Sequence, residues 1–142
     1  MRILIINGPN INMIGQREPD IYGHHTYLDL EQLVEAYAKK NDLEVKMVQS
    51  NYEGELVSII QDGYGTYDYY IINPAAYTHT SVAILDALLA VNIPTIEVHL
   101  SEPLERESFR HVNLIESATI KRFAKHGIQG YIMALEYIGT LE

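Results

Sequence analysis

The sequence predicts an α/β protein built on an open, doubly wound parallel sheet of about five strands. Three observations lead there. Short branched and aromatic runs alternate with helical patterns, as crossover connections require. The chain has 142 residues, of which 47% are hydrophobic, enough for one well-buried domain. A closed eight-fold β/α barrel typically takes about 250 residues, so the sheet must stay open.

The elements follow in order. RILIIN (2–7), EVKMVQS (44–50), DYYIIN (68–73) and TIEVHL (95–100) are bounded by turn residues and read as strands. YLDLEQLVEAYAKKN (27–41) reads as a helix with Leu30, Leu33, Val34 and Tyr37 on one face. GELVSIIQDGY (54–64) is a shorter helix, and SVAILDALLAVN (81–92) is a helix that is apolar nearly all round. A fifth strand is expected near ATIKRFA (118–124) and a closing helix in GIQGYIMALEYI (127–138). No repeat, low-complexity tract or Pro/Gly/Ser linker interrupts the pattern, so a single domain over 1–142 is expected. The architecture that fits is a flavodoxin-like three-layer sandwich around a five-stranded parallel sheet.

Composition removes several function classes. A net charge of -9 argues against a general nucleic-acid or anionic-membrane binder, since both depend on a positive surface field. No run approaches the roughly 20 apolar residues of a spanning helix, and the apolar ILII near the start is too short for a secretory signal. With no cysteine, disulfides and thiolate metal sites are impossible; a reducing, cytoplasmic location is expected.

In open parallel sheets the ligand crevice lies at the carboxyl ends of the strands. Here the segments that follow the strands are NGPNINMIGQREPDIYG, SNYEG, NPAAYTHTS and HLSEPLERESFR. Arg17, Arg106 and Arg110 fall in them although the chain has only ten Lys and Arg, which predicts a positive cleft in an acidic protein. NGPN by itself is ordinary turn chemistry, and neither GxGxxG nor GxxxxGK[ST] is present. Tyr22 gains interest from Arg17, because a guanidinium within about 4 to 6 Å can lower a neighbour's pKa and make a phenol usable as a base. His79 and His99 stand at successive strand ends; either alone is more often structural. A zinc site using both with Glu97 or Asp86 is the rival, unsupported by HExxH or a similar short-range pair. His24 and His25 sit in a polar loop and are expected to be solvated. Ser81 lacks a GxSxG elbow, which disfavours nucleophilic hydrolysis.

NGPNINMIGQREPDIYG, QSNYEGELVSIIQ, NPAAYTHTSVAILDAL and IEVHLSEPLERESFRH, in this order and spacing, resemble the type II 3-dehydroquinate dehydratases, with a looser echo in HGIQGYIMAL. The resemblance implies a flavodoxin-like fold, a dodecamer built as a tetramer of trimers, and dehydration of 3-dehydroquinate to 3-dehydroshikimate in the shikimate pathway or quinate breakdown. It implies no cofactor and no metal. Carried over, Tyr22 would be the base as a tyrosinate, with Arg17 favouring the ionised phenol. Asn10 would hold a water against the enolate oxygen, and His99 would be the general acid. Asn73, His79 and Arg110 would hold substrate polar groups, with the Leu100 and Ser101 amides taking the carboxylate. Glu97 would orient His99 or its neighbours, Arg106 would sit near the tyrosine, and Asp86 would reach the site of an adjacent subunit.

Three stretches depart from that family's pattern. Glu102 stands where asparagine is usual, NLIESATIKRFAKHG replaces a glycine-rich run and puts His126 where glycine is expected, and IGQREP varies the commoner Leu-Gly-Arg form. None removes a catalytic residue. The alternative from another class is a flavodoxin-like module that binds a nucleotide or anion without catalysis; it lacks a Ser/Thr-rich turn after the first strand.

Overall fold

The computed structural model describes residues 1–16 and 18–142, with the backbone alone at Tyr22; Arg17 and the Tyr22 side chain lie outside the described residues. Five strands, β1 (Arg2–Asn7), β2 (Glu44–Gln49), β3 (Tyr69–Asn73), β4 (Thr95–Val98) and β5 (Lys121–Phe123), form one sheet in the order β2-β1-β3-β4-β5. Every pairing is parallel. The helices are α1 (Pro19–Tyr22), α2 (Tyr27–Lys40), α3 (Glu53–Asp62), α4 (Val82–Val91) and α5 (Gln129–Thr140).

Strand alternation sorts the apolar residues into two cores. Ile3, Ile5, Ile71, Ile96 and Val98 face α2 and α5, while Leu4, Ile6, Tyr70 and Ile72 face α3 and α4. A sheet buried on both faces needs helices on both sides, which gives the flavodoxin-like three-layer sandwich. Helix starts are fixed locally. Thr26 and Asp29 form a reciprocal capping box on α2, with bonds of 2.9 and 3.1 Å. The Ser81 hydroxyl accepts the Ile84 N–H at 3.0 Å and begins α4.

Three details differ from the periodicity reading. β4 ends at Val98, so His99 is the first residue past the strand. The first long connection contains the one-turn α1, started by Pro19 at its first position. In α4 one face stays exposed, with Val82 and Leu89 each at least half accessible, so the nearly all-round apolar helix is not all buried.

The reversal of strand order falls between β1 and β3, the switch point at which such sheets bind ligands. Register pairs Asn7 with Asn73 there, side by side at the two strand ends. Gly8 follows directly, and its N–H donates to the Asn73 carbonyl at 2.8 Å. A Cβ on Gly8 would lie 2.4 Å from the Pro74 carbonyl oxygen, so only glycine lets the two turns approach this closely.

Candidate functional site

A cleft open to solvent lies over the carboxyl ends of β1, β3 and β4. Asn10, Asn73, His79, His99 and Arg110 line it with the Leu100–Ser101 turn. Residues far apart in sequence therefore converge because parallel strands end on one edge.

Each polar group is held by its surroundings. Asn10 adopts a left-handed conformation at φ 70°, tolerated by asparagine, and its N–H donates to Asn51 Oδ1 at 3.1 Å. Asn73 is buried; its Oδ1 accepts the Ala75 N–H at 3.2 Å and its Nδ2 donates to the Tyr131 hydroxyl at 3.0 Å. Tyr131 in turn donates to Asn7 Oδ1 at 2.6 Å. Burial pushes the Tyr131 phenol far above its ordinary pKa, so it stays neutral and able to donate. The carbonyls of Leu100 and Ser101 accept from Gly127 and Lys125, at 3.1 and 3.3 Å. Their own N–H groups have no protein acceptor among the described residues, which leaves two donors for an anion.

His99 is buried against a wholly buried carboxylate. Its Nε2 hydrogen-bonds Glu97 Oε2, and its backbone N–H donates to the Phe123 carbonyl at 2.9 Å. Asn113 Nδ2 donates to both Glu97 oxygens, at 3.0 and 2.8 Å, while Asn113 Oδ1 accepts the Ile115 N–H at 3.1 Å and fixes the amide orientation. Burial by itself would raise the Glu97 pKa. The His99 bond and charge, then Asn113 and Arg122, outweigh it and hold the group below the ordinary carboxylate range. Glu97 is therefore an anion beneath the imidazole.

His79 presents a different balance. Its Nδ1 lies 2.7 Å from the Val112 carbonyl oxygen. Burial nevertheless lowers its pKa, and the nearby His99 and Arg110 add to that effect. The neutral ring is favoured, suited to hydrogen bonding with a polar ligand.

Of the three cations expected in a positive cleft, two are described. Arg106 and Arg110 do line it, but Arg110 Nε pairs with Glu107 Oε2 at 2.5 Å and Arg106 lies 3.8 Å from Glu18 Oε2. Arg17, the third cation of the sequence reading, and the Tyr22 side chain lie outside the described residues. Glu18, one residue before α1, reaches Arg106, and Asp20 and Ile21 share a shallow depression with Leu100, Ser101 and Arg106. The helix that ends at Tyr22 thus lies beside the cleft. Asp86 does not enter the cleft of its own chain; it is on the exposed face of α4. Glu97 also does not line the cleft, standing behind His99. His24 and His25 are exposed. Among the described residues, no three His, Asp or Glu side chains converge as a metal site would require.

The family model for class II dehydroquinases matches residues 1–139. The chain belongs to this family. A 3-dehydroquinate dehydratase of Corynebacterium glutamicum strain R is 50% identical over 141 residues, covering 99% of this chain and 97% of the relative. One from Campylobacter hominis is 49% identical over 135 residues, covering 95% and 87%. The crystal structure of a type II dehydroquinase from Butyrivibrio crossotus superimposes with a TM-score of 0.96 at 45% identity, covering 98% of this chain and 97% of that one. As a class II dehydroquinase the chain is an enzyme, a lyase of the hydro-lyase type.

Sequence reading missed the residues of this dehydroquinase that support the cleft from behind. Asn113 and Arg122 lie in the stretch that departs most from the family's pattern, with no periodicity to mark them. Tyr131 falls within the GIQGY echo and Asn7 ends the first strand, but nothing in a single sequence says that the two side chains meet across 124 positions. No helix among the described residues is long and apolar enough to cross a membrane.

Proposed function

We propose that this single-domain chain, folded over residues 1–142, converts 3-dehydroquinate to 3-dehydroshikimate by anti elimination through an enolate. The observation that carries the reading is the convergence of Asn10, Asn73, His79, His99, Arg110 and the Leu100–Ser101 amides in one cleft of a class II dehydroquinase. Tyr22, as a tyrosinate stabilised by Arg17, removes a proton from carbon 2. The electrons of that C–H bond pass to the ketone oxygen, and a water held by Asn10 stabilises the resulting enolate. The enolate then re-forms the ketone and expels the β-hydroxyl, which takes a proton from His99 and leaves as water. No cofactor or metal enters this route.

Binding follows from the same set. The Leu100 and Ser101 N–H groups receive the carboxylate, while Asn73, His79 and Arg110 hold the remaining polar groups. Glu97 would orient His99, and Arg106 would serve beside the tyrosine. Asp86 is exposed on an α4 face that also carries the exposed Val82 and Leu89, which supports the reading that it serves an adjacent subunit's site in a trimer, four of which make the dodecamer. A cytoplasmic location accords with the absence of cysteine.

Purified protein mixed with 3-dehydroquinate should generate the ultraviolet absorbance of the conjugated enone of 3-dehydroshikimate. Absence of product from folded, oligomeric protein would overturn the assignment.

A further inference from the structure

We infer that Arg122 is a positioning residue that serves two carboxylates at once: Glu97 behind the general acid, and Glu102 beside the carboxylate-binding turn. The inference rests on the reading of His99 as the acid and of the Leu100–Ser101 amides as the anion site.

The geometry comes from strand register. β4 and β5 pair with Glu97 opposite Arg122, so the two side chains emerge on the same face at the end of the sheet. Arg122 Nε lies 3.8 Å from Glu97 Oε2, while its Nη2 reaches Glu102 at 3.3 Å to Oε1 and 3.2 Å to Oε2. One planar guanidinium with separate nitrogens can address both groups in a way that an ammonium cannot. Only 14% of the Glu102 side chain is exposed and Glu97 is fully buried, so neither carboxylate is neutralised chiefly by water.

Each contact has its own consequence for the reaction. Glu97 touches His99 directly, and an anion held in one orientation there fixes the ring that must deliver the proton. Glu102 comes immediately after the two amides that take the substrate's carboxylate, where an unpaired negative charge would oppose binding. Arg122 removes that repulsion. Glu102, unusual as a neighbour of an anion site, is thereby made compatible with it. A merely structural pair tying the edge strand β5 to the sheet would carry neither effect.

Steady-state kinetics on Arg122→Met, Glu102→Gln and the double variant separate these roles. Arg122→Met should lower kcat about tenfold through Glu97 and raise KM about fivefold through the unpaired Glu102, within the usual coupling range of one ion-pair network. Adding Glu102→Gln should bring KM back to within about twofold of wild type while kcat stays low. Arg122→Met with both constants unchanged, or a double variant that recovers kcat as well as KM, would overturn the inference. Should Arg122→Met not fold, Arg122→Lys keeps a cation on β5; a defect in at least one constant is expected, and wild-type values in both would refute the two-carboxylate role. His99→Ala is the comparator. An active His99→Ala overturns the acid assignment and the inference with it, whereas an inactive one beside a wild-type-like Arg122→Met overturns the inference alone.

Discussion

Tyr131→Phe removes one oxygen atom from the centre of the molecule and tests how the cleft is supported. The hydroxyl donates to Asn7 Oδ1 at 2.6 Å and accepts from Asn73 Nδ2 at 3.0 Å, and all three side chains are buried. The ring stays in place, so no cavity of consequence opens. The loss is two hydrogen bonds, and each deserted buried group costs about 1–3 kcal/mol. A total of about 2–4 kcal/mol follows, since Asn73 keeps its second anchor to the Ala75 N–H. At roughly 3 °C per kcal/mol for a chain of this length, the melting temperature should fall by about 6–12 °C. Asn73 then holds its carbonyl end but loses the bond that aims its amide, so KM should rise a few-fold with kcat nearly unchanged. Thermal unfolding and the enone assay on the same preparation measure both. A melting temperature within about 2 °C of wild type would refute the reasoning, because it would mean that the buried acceptors find other partners at no cost.

Further outcomes are expected. Tyr22→Phe should lower kcat by at least about 10²–10⁴ while substrate still binds, and near-native turnover would remove Tyr22 as the base; Arg17→Ala should move the acid limb of activity to higher pH. Borohydride added during turnover should leave the protein mass unchanged, since an imine needs a lysine of depressed pKa, and Lys125, the lysine nearest the turn after β4, is instead raised by its 2.7 Å pair with Glu105. Glu97 has a folded-state pKa below its ordinary 4.5, so the stability tied to its ionisation is fully present above about pH 4.5 and is lost as pH falls through the lower folded value. Urea midpoints of wild type and Glu97→Gln should therefore converge below pH 4.5, and a constant gap would contradict that linkage. Solution mass should be a multiple of the trimer, and Asp86→Ala should impair turnover in the assembled protein; a fully active monomer rules out the shared site.

Much of this was legible in the residues because parallel sheets oblige strand ends to share an edge. RILIIN, DYYIIN and TIEVHL mark β1, β3 and β4, whose carboxyl ends bring Asn10, Asn73, His79 and His99 to one crevice. What escaped was contact between segments that carry no periodic signal. β5 has only three residues, too few to display alternation, and Arg122 acquires meaning only from its register with Glu97. The Tyr131–Asn73 bond also escaped, because a phenol in an apolar helix reads as packing until its oxygen is located.

Collecting the cleft's described polar groups on one rim of the sheet leaves the opposite rim without them. The connections that reach it, Asn41–Leu43 ahead of β2 and Gly63–Asp68 ahead of β3, line none of the cleft. A reporter group, affinity handle or surface anchor attached there would sit a full strand length from the substrate, roughly 17–20 Å for a strand of five or six residues. Immobilising the catalyst through Tyr64, which is 71% exposed in the second of these turns, would then tether the molecule by its inert end and leave the mouth facing the medium.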